Sequence, residues 1–302
     1  MKRKVESFTG QRPVFTGSPS IVPGGFNLDR EAQTFNVGQV IPAATPAIYN
    51  EQTRKVQLIK AAKVVEVDSD DNTKVSLKVD EFYAPIFCVG DKVAKAGAIS
   101  GTYASAVSIT SITENEGSFI VTLSGAISGL AADDVLVQVV SKTVTTPEVK
   151  ANVISVSTTT VITVPGLDLA AGDKVMLAPV AASALIANAT SVTSYDKDSG
   201  KLVLAASIAD LAAGDVLSKV FASGTKAVTT QEVAIAAEIG EANGVTICDV
   251  EVDKFETAID VTADTMQYAI YERRVPAIPA SQKDASGTYL KGNPHIRFTQ
   301  SF

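Results

Sequence analysis

Leu169-Ala170-Ala171-Gly172-Asp173-Lys174-Val175 and Leu211-Ala212-Ala213-Gly214-Asp215-Val216 are one phrase written twice: an apolar run, a Gly-Asp turn, and a return to apolar residues. Two further copies stand upstream, Val89-Gly90-Asp91-Lys92-Val93 and Leu130-Ala131-Ala132-Asp133-Asp134-Val135. The turn aspartate recurs after 43, 39 and 42 residues, from Asp91 to Asp134, Asp173 and Asp215. Glycine accepts positive φ without a Cβ clash, and an aspartate side chain can bond a nearby backbone N–H. Asp91, Gly172, Asp173, Gly214 and Asp215 are therefore structural turn residues. Asp133, standing where Gly would, is among the residues that tolerate the left-handed region. A period of about 40 residues predicts an array of small units rather than one catalytic core.

The segments between the turns alternate apolar and polar, the period of a half-buried strand. Val64–Val67 and Lys74–Val79 flank the polar turn Asp68-Ser69-Asp70-Asp71-Asn72. Ser108–Ile112 is predicted to return as Ser118–Leu123, Val153–Val156 as Val161–Val164, and Ser191–Tyr195 as Lys201–Leu204. An isolated hairpin is marginal in water, so these units must share sheets or pack together.

Composition agrees. The 302 residues are 46% hydrophobic and 20% charged, with 6% aromatics and no Trp. Val, Ile and Thr, branched at Cβ, favour pleated surfaces. The expected fold class is all-β: tandem small β units with an extended N-terminal arm and a loop-like C-terminal tail. The boundaries read as an arm at 1–52, tandem units at 53–228, and a C-terminal β segment and tail at 229–302. Strands are expected at 233–237, 244–252 and 266–271, and any helix at 254–260 or 180–189.

The arm is interrupted by Pro13, Pro19, Pro23, Pro42 and Pro46, which argues against a central strand. It nevertheless keeps Phe8, Val14, Phe15, Ile21, Val22, Phe26 and Phe35, too apolar a set for a solvated linker. Such a segment is expected to become ordered on binding. The ends of the alternating tail residues, Ile296 to Phe302, are suited to adding an edge strand to a neighbour.

Net charge is −7 and unevenly spread. Residues 1–30 carry Lys2, Arg3, Lys4, Arg12 and Arg30 against Glu6 and Asp29, and 271–302 carry five cations against Glu272 and Asp284. Each end is thus +3 and residues 31–270 hold −13. Basic ends on an acidic body fit termini that dock on a partner, whereas nucleic acid would be repelled by the body. Met1–Gly10 lacks the apolar stretch of an export signal, and no apolar run has the length of a membrane span.

No catalytic or metal constellation emerges. His295 is the single histidine, and neither Cys88 nor Cys248 belongs to a CxxC pair. Both cysteines read as small buried hydrophobes in strands. The Asp68 turn begins like a calcium loop but has Thr73 at the sixth position and Val79 at the twelfth, so it reads as a hairpin turn. No enzyme activity, cofactor or metal is expected.

Phe35-Asn36-Val37-Gly38-Gln39-Val40-Ile41-Pro42-Ala43-Ala44-Thr45-Pro46, the following Val64-Val65-Glu66-Val67, the repeated Ala-Ala-Gly-Asp turns and Tyr271-Glu272-Arg273-Arg274-Val275-Pro276 carry a further likeness. In these parts, over most of its length, the chain resembles the head fibre and capsid-decoration proteins of tailed bacteriophages, especially those of crAss-like phages infecting Bacteroidales. The resemblance implies a virion structural protein on the capsid surface, made in the host cytoplasm without a signal peptide. It implies a homo-oligomer, dimer or trimer, bound to the major capsid protein or other virion proteins through its terminal segments. The arm residues Phe8, Arg12, Val14, Phe15, Ile21, Val22, Phe26 and Phe35 then become the capsid anchor. The alternative is a tail-associated adhesin holding host-surface glycans; its expected clusters of loop aromatics are missing, since Tyr83, Tyr103 and Tyr195 are scattered.

Overall fold

The computed structural model describes residues 13–80, 83–115, 117–266 and 268–300. The chain is predominantly β-strand, arranged in several sheets with two barrel-like closures, an all-β fold. The expected helices are not formed: among the described residues, 254–260 contains none and 180–189 only the 3₁₀ turn Ile186–Asn188. Two compact units divide the chain, Met1–Lys142 with Ile235–Phe302, and Thr143–Ala234.

In the first unit six strands close a barrel. They are Ala61–Val67, Lys74–Leu77, Lys92–Lys95, Val107–Asn115, Ser118–Leu123 and Val135–Gln138. Each 40-residue repeat supplies a hairpin and a third strand, and the third strand does not stay with its own hairpin. Lys92–Lys95 pairs with Val107–Asn115 of the next repeat, and Val135–Gln138 pairs back to Ala61–Val67. The two third strands also pair with each other, as do the inner strands Lys74–Leu77 and Ser118–Leu123. The predicted hairpins are present, but the repeat is half a barrel and not a unit. A three-stranded half leaves open edges and one bare apolar face, and exchange of third strands closes both. The inward positions Val64, Val75, Leu77, Phe87, Ile109, Val121 and Leu136 form the barrel core.

The second unit repeats the plan. Ser155–Thr158 pairs with Val161–Thr163, Thr190–Asp196 with Lys201–Leu204, and Lys174–Leu177 with both Thr190–Asp196 and Val216–Ser223. Closure comes from the 150–158 segment, split into Lys150–Asn152 and Ser155–Thr158, whose two pieces stand at opposite ends of the sheet path. Val153, Ile162, Val164, Leu167, Val175, Val192, Leu202, Leu204 and Leu217 fill its core.

All four Gly-Asp turns have one geometry. The aspartate N–H donates to the carbonyl three residues back, on Cys88, Ala131, Ala170 and Ala212, at 3.1–3.2 Å. Its Oδ2 accepts the N–H of that same residue at 2.7–2.8 Å. The preceding residue has φ of 94°, 71°, 93° and 96° at Gly90, Asp133, Gly172 and Gly214. Outside the turn, that residue donates to the carbonyl of Ile109, Val64, Val192 or Val153, whose own N–H donates back to the aspartate carbonyl. Each turn thereby clips onto a buried residue of another segment, so the repeated phrase encodes a barrel corner.

The remainder of the first unit corrects the expected arm and tail. Phe26–Leu28, Pro46–Asn50 and Lys55–Leu58 enter one six-stranded sheet with Gly244–Thr246, Ala258–Ile259 and Val261–Thr262. The described prolines of the N-terminal segment stay outside strands except Pro46, a strand's first residue. Phe26, Leu28, Phe35, Ile41 and Ala47 join Val252, Ile259 and Val261 in a core. A segment without a core of its own has obtained one from residues some 200 positions away, as the pairing of Phe26 with Ile259 shows. The tail is likewise structured. Asn293–Thr299 is the middle strand of a three-stranded sheet, parallel to Ile270–Tyr271 and antiparallel to Tyr289–Leu290. The expected strands at 244–252 and 266–271 are shorter than predicted, Gly244–Thr246, Val250–Glu251 and Ile270–Tyr271.

Candidate anchoring surface

The residues expected to anchor the chain have different fates. Phe8 and Arg12 lie outside the described residues. Val14, Phe26 and Phe35 are buried inside the first unit, which corrects their assignment to a docking surface: a side chain filling its own core cannot fill a partner's. Phe15 and Val22 are partly buried against cores of the same unit, and Ile21 is the described member of the set that is exposed.

The backbone around them brings the two ends of the chain together. Phe15 bridges Ile270, Thr16 N–H donates to Ala269 O at 2.8 Å, and Tyr271 N–H donates to Val14 O at 2.9 Å. Arg274 Nη1 donates to Pro13 O at 3.1 Å and its guanidinium lies 4.5 Å from the Tyr271 ring. The segment Pro13–Thr16 therefore runs beside Ala269–Tyr271 and Arg274; of the cations read at 1–30, Arg30 is the described one, and it donates instead to the carbonyls of Lys254 and Phe255. In the sheet of Asn293–Thr299, Ile296 and Phe298 point inward, leaving His295 and Arg297 exposed on the other face. Two neighbouring cations are already matched, Lys283 by Glu272 and Lys291 by Glu241 at 2.5 Å. The Glu241 carboxylate holds the Lys291 ammonium above its ordinary pKa.

A second polar constellation is sealed. Lys60 Nζ donates to Asp91 Oδ2 at 2.8 Å and to the carbonyl of Thr34, and lies 4.3 Å from the Phe35 ring. Gln138 Nε2 donates to Asp91 Oδ1 at 2.9 Å, Gln33 Nε2 donates to Gln138 Oε1 at 2.8 Å, and Leu58 N–H donates to Gln33 Oε1. Cys88 borders the group with its thiol pushed up in pKa by burial, against the pull of Lys60. All five side chains are buried. Their hydrogen bonds tie the 33–35 segment and the barrel together. Sequence reasoning missed Lys60, whose one signal is a lone cation in the apolar run Leu58-Ile59-Lys60-Ala61-Ala62.

The cysteine expectation needs amendment as well. Cys88 is buried but precedes a turn, and Cys248 is exposed in a bend, so neither sits in a strand. Both Asp68 and Asp196 form local turns: Asp68 Oδ1 accepts the N–H groups of Asp70 and Asp71, and Asp196 Oδ1 that of Asp198. Among the described residues no group of three or more His, Cys, Asp or Glu is placed to hold a metal ion, and no helix is long and apolar enough to cross a membrane.

The class defined at this point is an all-β protein with a duplicated six-stranded barrel plan. No protein-family model matches the chain, and no curated sequence is significantly similar to it.

Proposed function

We propose that this chain is a non-enzymatic virion structural protein, a head fibre or capsid-decoration protein held on the major capsid protein. The supporting observation is the exposed strand face at Arg297 in the sheet of Ile270–Tyr271, Tyr289–Leu290 and Asn293–Thr299, with the Pro13–Thr16 segment bonded alongside at Ala269–Tyr271 and Arg274. An attachment face built from both ends leaves the intervening chain free to form repeated β modules. The repeated turns serve closure of those modules, and the buried Lys60–Asp91 group serves their attachment to the N-terminal segment. On this reading the anchor is the exposed basic face carrying Arg297 and Arg273, not the apolar residues of 14–35.

Immunogold labelling of purified phage particles with an antibody against the full chain tests the proposal. Label on heads is the expected outcome. Label on tails would favour the glycan-binding adhesin, and unlabelled intact particles would remove the virion-surface assignment.

A further inference from the structure

Lys60 Nζ and Asp91 Oδ2 are a primary amine and a carboxyl oxygen held 2.8 Å apart, both side chains buried. An amide forms from such a pair by loss of water. In open solvent the two ions are favoured over the amide because each is hydrated, and burial removes that hydration. The repeated turns supply the contrast. Lys95–Asp134 and Lys219–Asp173 stand at 2.8 and 2.7 Å, but both pairs are partly exposed.

The groups around the buried pair fit a condensation. Gln138 Nε2 donates to Asp91 Oδ1 at 2.9 Å. A relay from the backbone fixes which end of that amide faces Asp91. Leu58 N–H, which can only donate, bonds Gln33 Oε1, and Gln33 Nε2 bonds Gln138 Oε1. The Gln138 NH2 group is therefore a fixed donor at an oxygen that gains negative charge under attack, the arrangement that lowers such barriers. Cys88 N–H holds Asp91 Oδ2 at 2.8 Å. Lys60 Nζ also donates to the Thr34 carbonyl and lies 4.3 Å from the Phe35 ring. Amine and carboxyl are thus positioned from both sides, which is where intramolecular reactions gain most.

We propose that Lys60 and Asp91 condense after folding into an intramolecular isopeptide bond between Nζ and Cγ. One proton passes from the ammonium to Oδ2 along their hydrogen bond, leaving a neutral amine and a carboxylic acid. The nitrogen lone pair attacks Cγ, and negative charge gathers on Oδ1 against the Gln138 N–H. A second proton passes from nitrogen to Oδ2, the Cγ–Oδ2 bond breaks, and Oδ2 departs as water. The third proton stays on the amide nitrogen, beside the Thr34 carbonyl that already accepts from it. Nothing is oxidised or reduced. The bond joins positions 31 residues apart and encloses the barrel strands Ala61–Val67 and Lys74–Leu77, a constraint of the kind a disulfide supplies. The inference stands apart from the virion assignment. Because Lys60→Met strips Asp91 of its partner in either state, the bond is read from mass and not from stability.

Intact mass spectrometry of the full chain, denatured in acid after purification, is the test. The expected mass is below that of the sequence by one water, about 18 Da, and trypsin should release one branched peptide joining residues 60 and 91. Lys60→Arg and Asp91→Ala should each restore the full mass. Asp134→Ala and Asp173→Ala should keep the loss, since their exposed pairs do not condense. A wild-type chain at full mass would overturn the inference. So would a loss that maps to a single unbranched peptide, as from an aspartate cyclised on its own backbone, or one that survives in Lys60→Arg.

Discussion

Lys60 and Asp91 form an ion pair of 2.8 Å with side chains 0% and 4% exposed, joining the residue before the first barrel strand to the first Gly-Asp turn. The same aspartate position is met differently elsewhere. Asp134 pairs with Lys95 at 2.8 Å and Asp173 with Lys219 at 2.7 Å, both pairs partly exposed. One turn chemistry thus operates in two dielectric settings, and burial decides what each copy contributes. Removing one partner of a buried pair leaves an uncompensated charge, whereas water can replace a lost partner near the surface.

Lys60→Met should therefore destabilise the first unit by about 3–5 kcal/mol in urea unfolding. Asp134→Ala, which loses the matching turn bond and an exposed pair, should cost much less. Equal costs for the two variants would contradict the role given to burial.

Several carboxylates are held below their ordinary pKa. The Lys95 hydrogen bond and the Ala131 N–H act on Asp134, and the Tyr289 N–H and Ser286 hydroxyl on Asp284. A depressed folded pKa gives stability that is present above the unfolded value of about 4 and is lost as pH falls through the folded one. Thermal melting temperatures should accordingly hold from neutral pH to about 5 and fall steadily below about 4. Asp284→Asn should flatten part of that fall.

The second unit owns a complete core and should fold alone. A fragment spanning 143–234 is expected to unfold cooperatively and to show dispersed amide resonances. Deletion of residues 1–52 should instead unfold the rest of the first unit, because Phe26, Phe35 and Ile41 are part of its interior. A truncated chain with unchanged melting of that unit would show those contacts to be dispensable.

Thiol labelling should separate the cysteines. Cys248 is exposed and Cys88 buried, so native protein should take up one equivalent of iodoacetamide quickly and the second only on unfolding. Burial raises the pKa of both thiols, with Asp260 and Asp249 adding to the effect at Cys248. Labelling of native Cys248 should consequently still be accelerating above the pH at which a free thiol levels off. Rapid uptake of two equivalents would place Cys88 in contact with solvent.

Gly292 is a close-packing position: a Cβ there would lie 2.4 Å from the Ala242 carbonyl oxygen. Gly292→Ala should cost about 1–3 kcal/mol, since backbone on both sides must move. A neutral outcome would mean that the turn before Asn293–Thr299 shifts freely.

Much of the local structure was legible from the chain alone. The alternation in Lys74–Leu77, Ser118–Leu123 and Lys201–Leu204 identifies strands because side chains on a pleat face opposite sides in turn. The Gly-Asp phrases identify corners because positive φ and a carboxylate acceptor are requirements within four residues. These are short-range constraints, and they were correctly read. The segment from Pro13 to Ile41 and the 273–302 tail were misread for the opposite reason. The ladders of the N-terminal segment lie far away in sequence, Phe26 on Ile259, Val40 on Glu251 and Phe15 on Ile270, so no local pattern announces a partner; the tail pairs Tyr289 with Arg297 nearby but takes its second neighbour, Ile270–Tyr271, from before the tail.

The amino-acid sequence by itself determined the β class, the turns, the internal repeat and the segregation of charge, each a property of residues adjacent along the chain. Tertiary structure alone decided that two repeats make one barrel and that Val14–Thr16 runs beside Ala269–Tyr271. It also decided that Lys60 is sealed while Phe255 is held out in water. Those outcomes depend on which strand edges and apolar faces meet, and a meeting of distant segments is set by the whole energy balance of the fold rather than by any stretch of it.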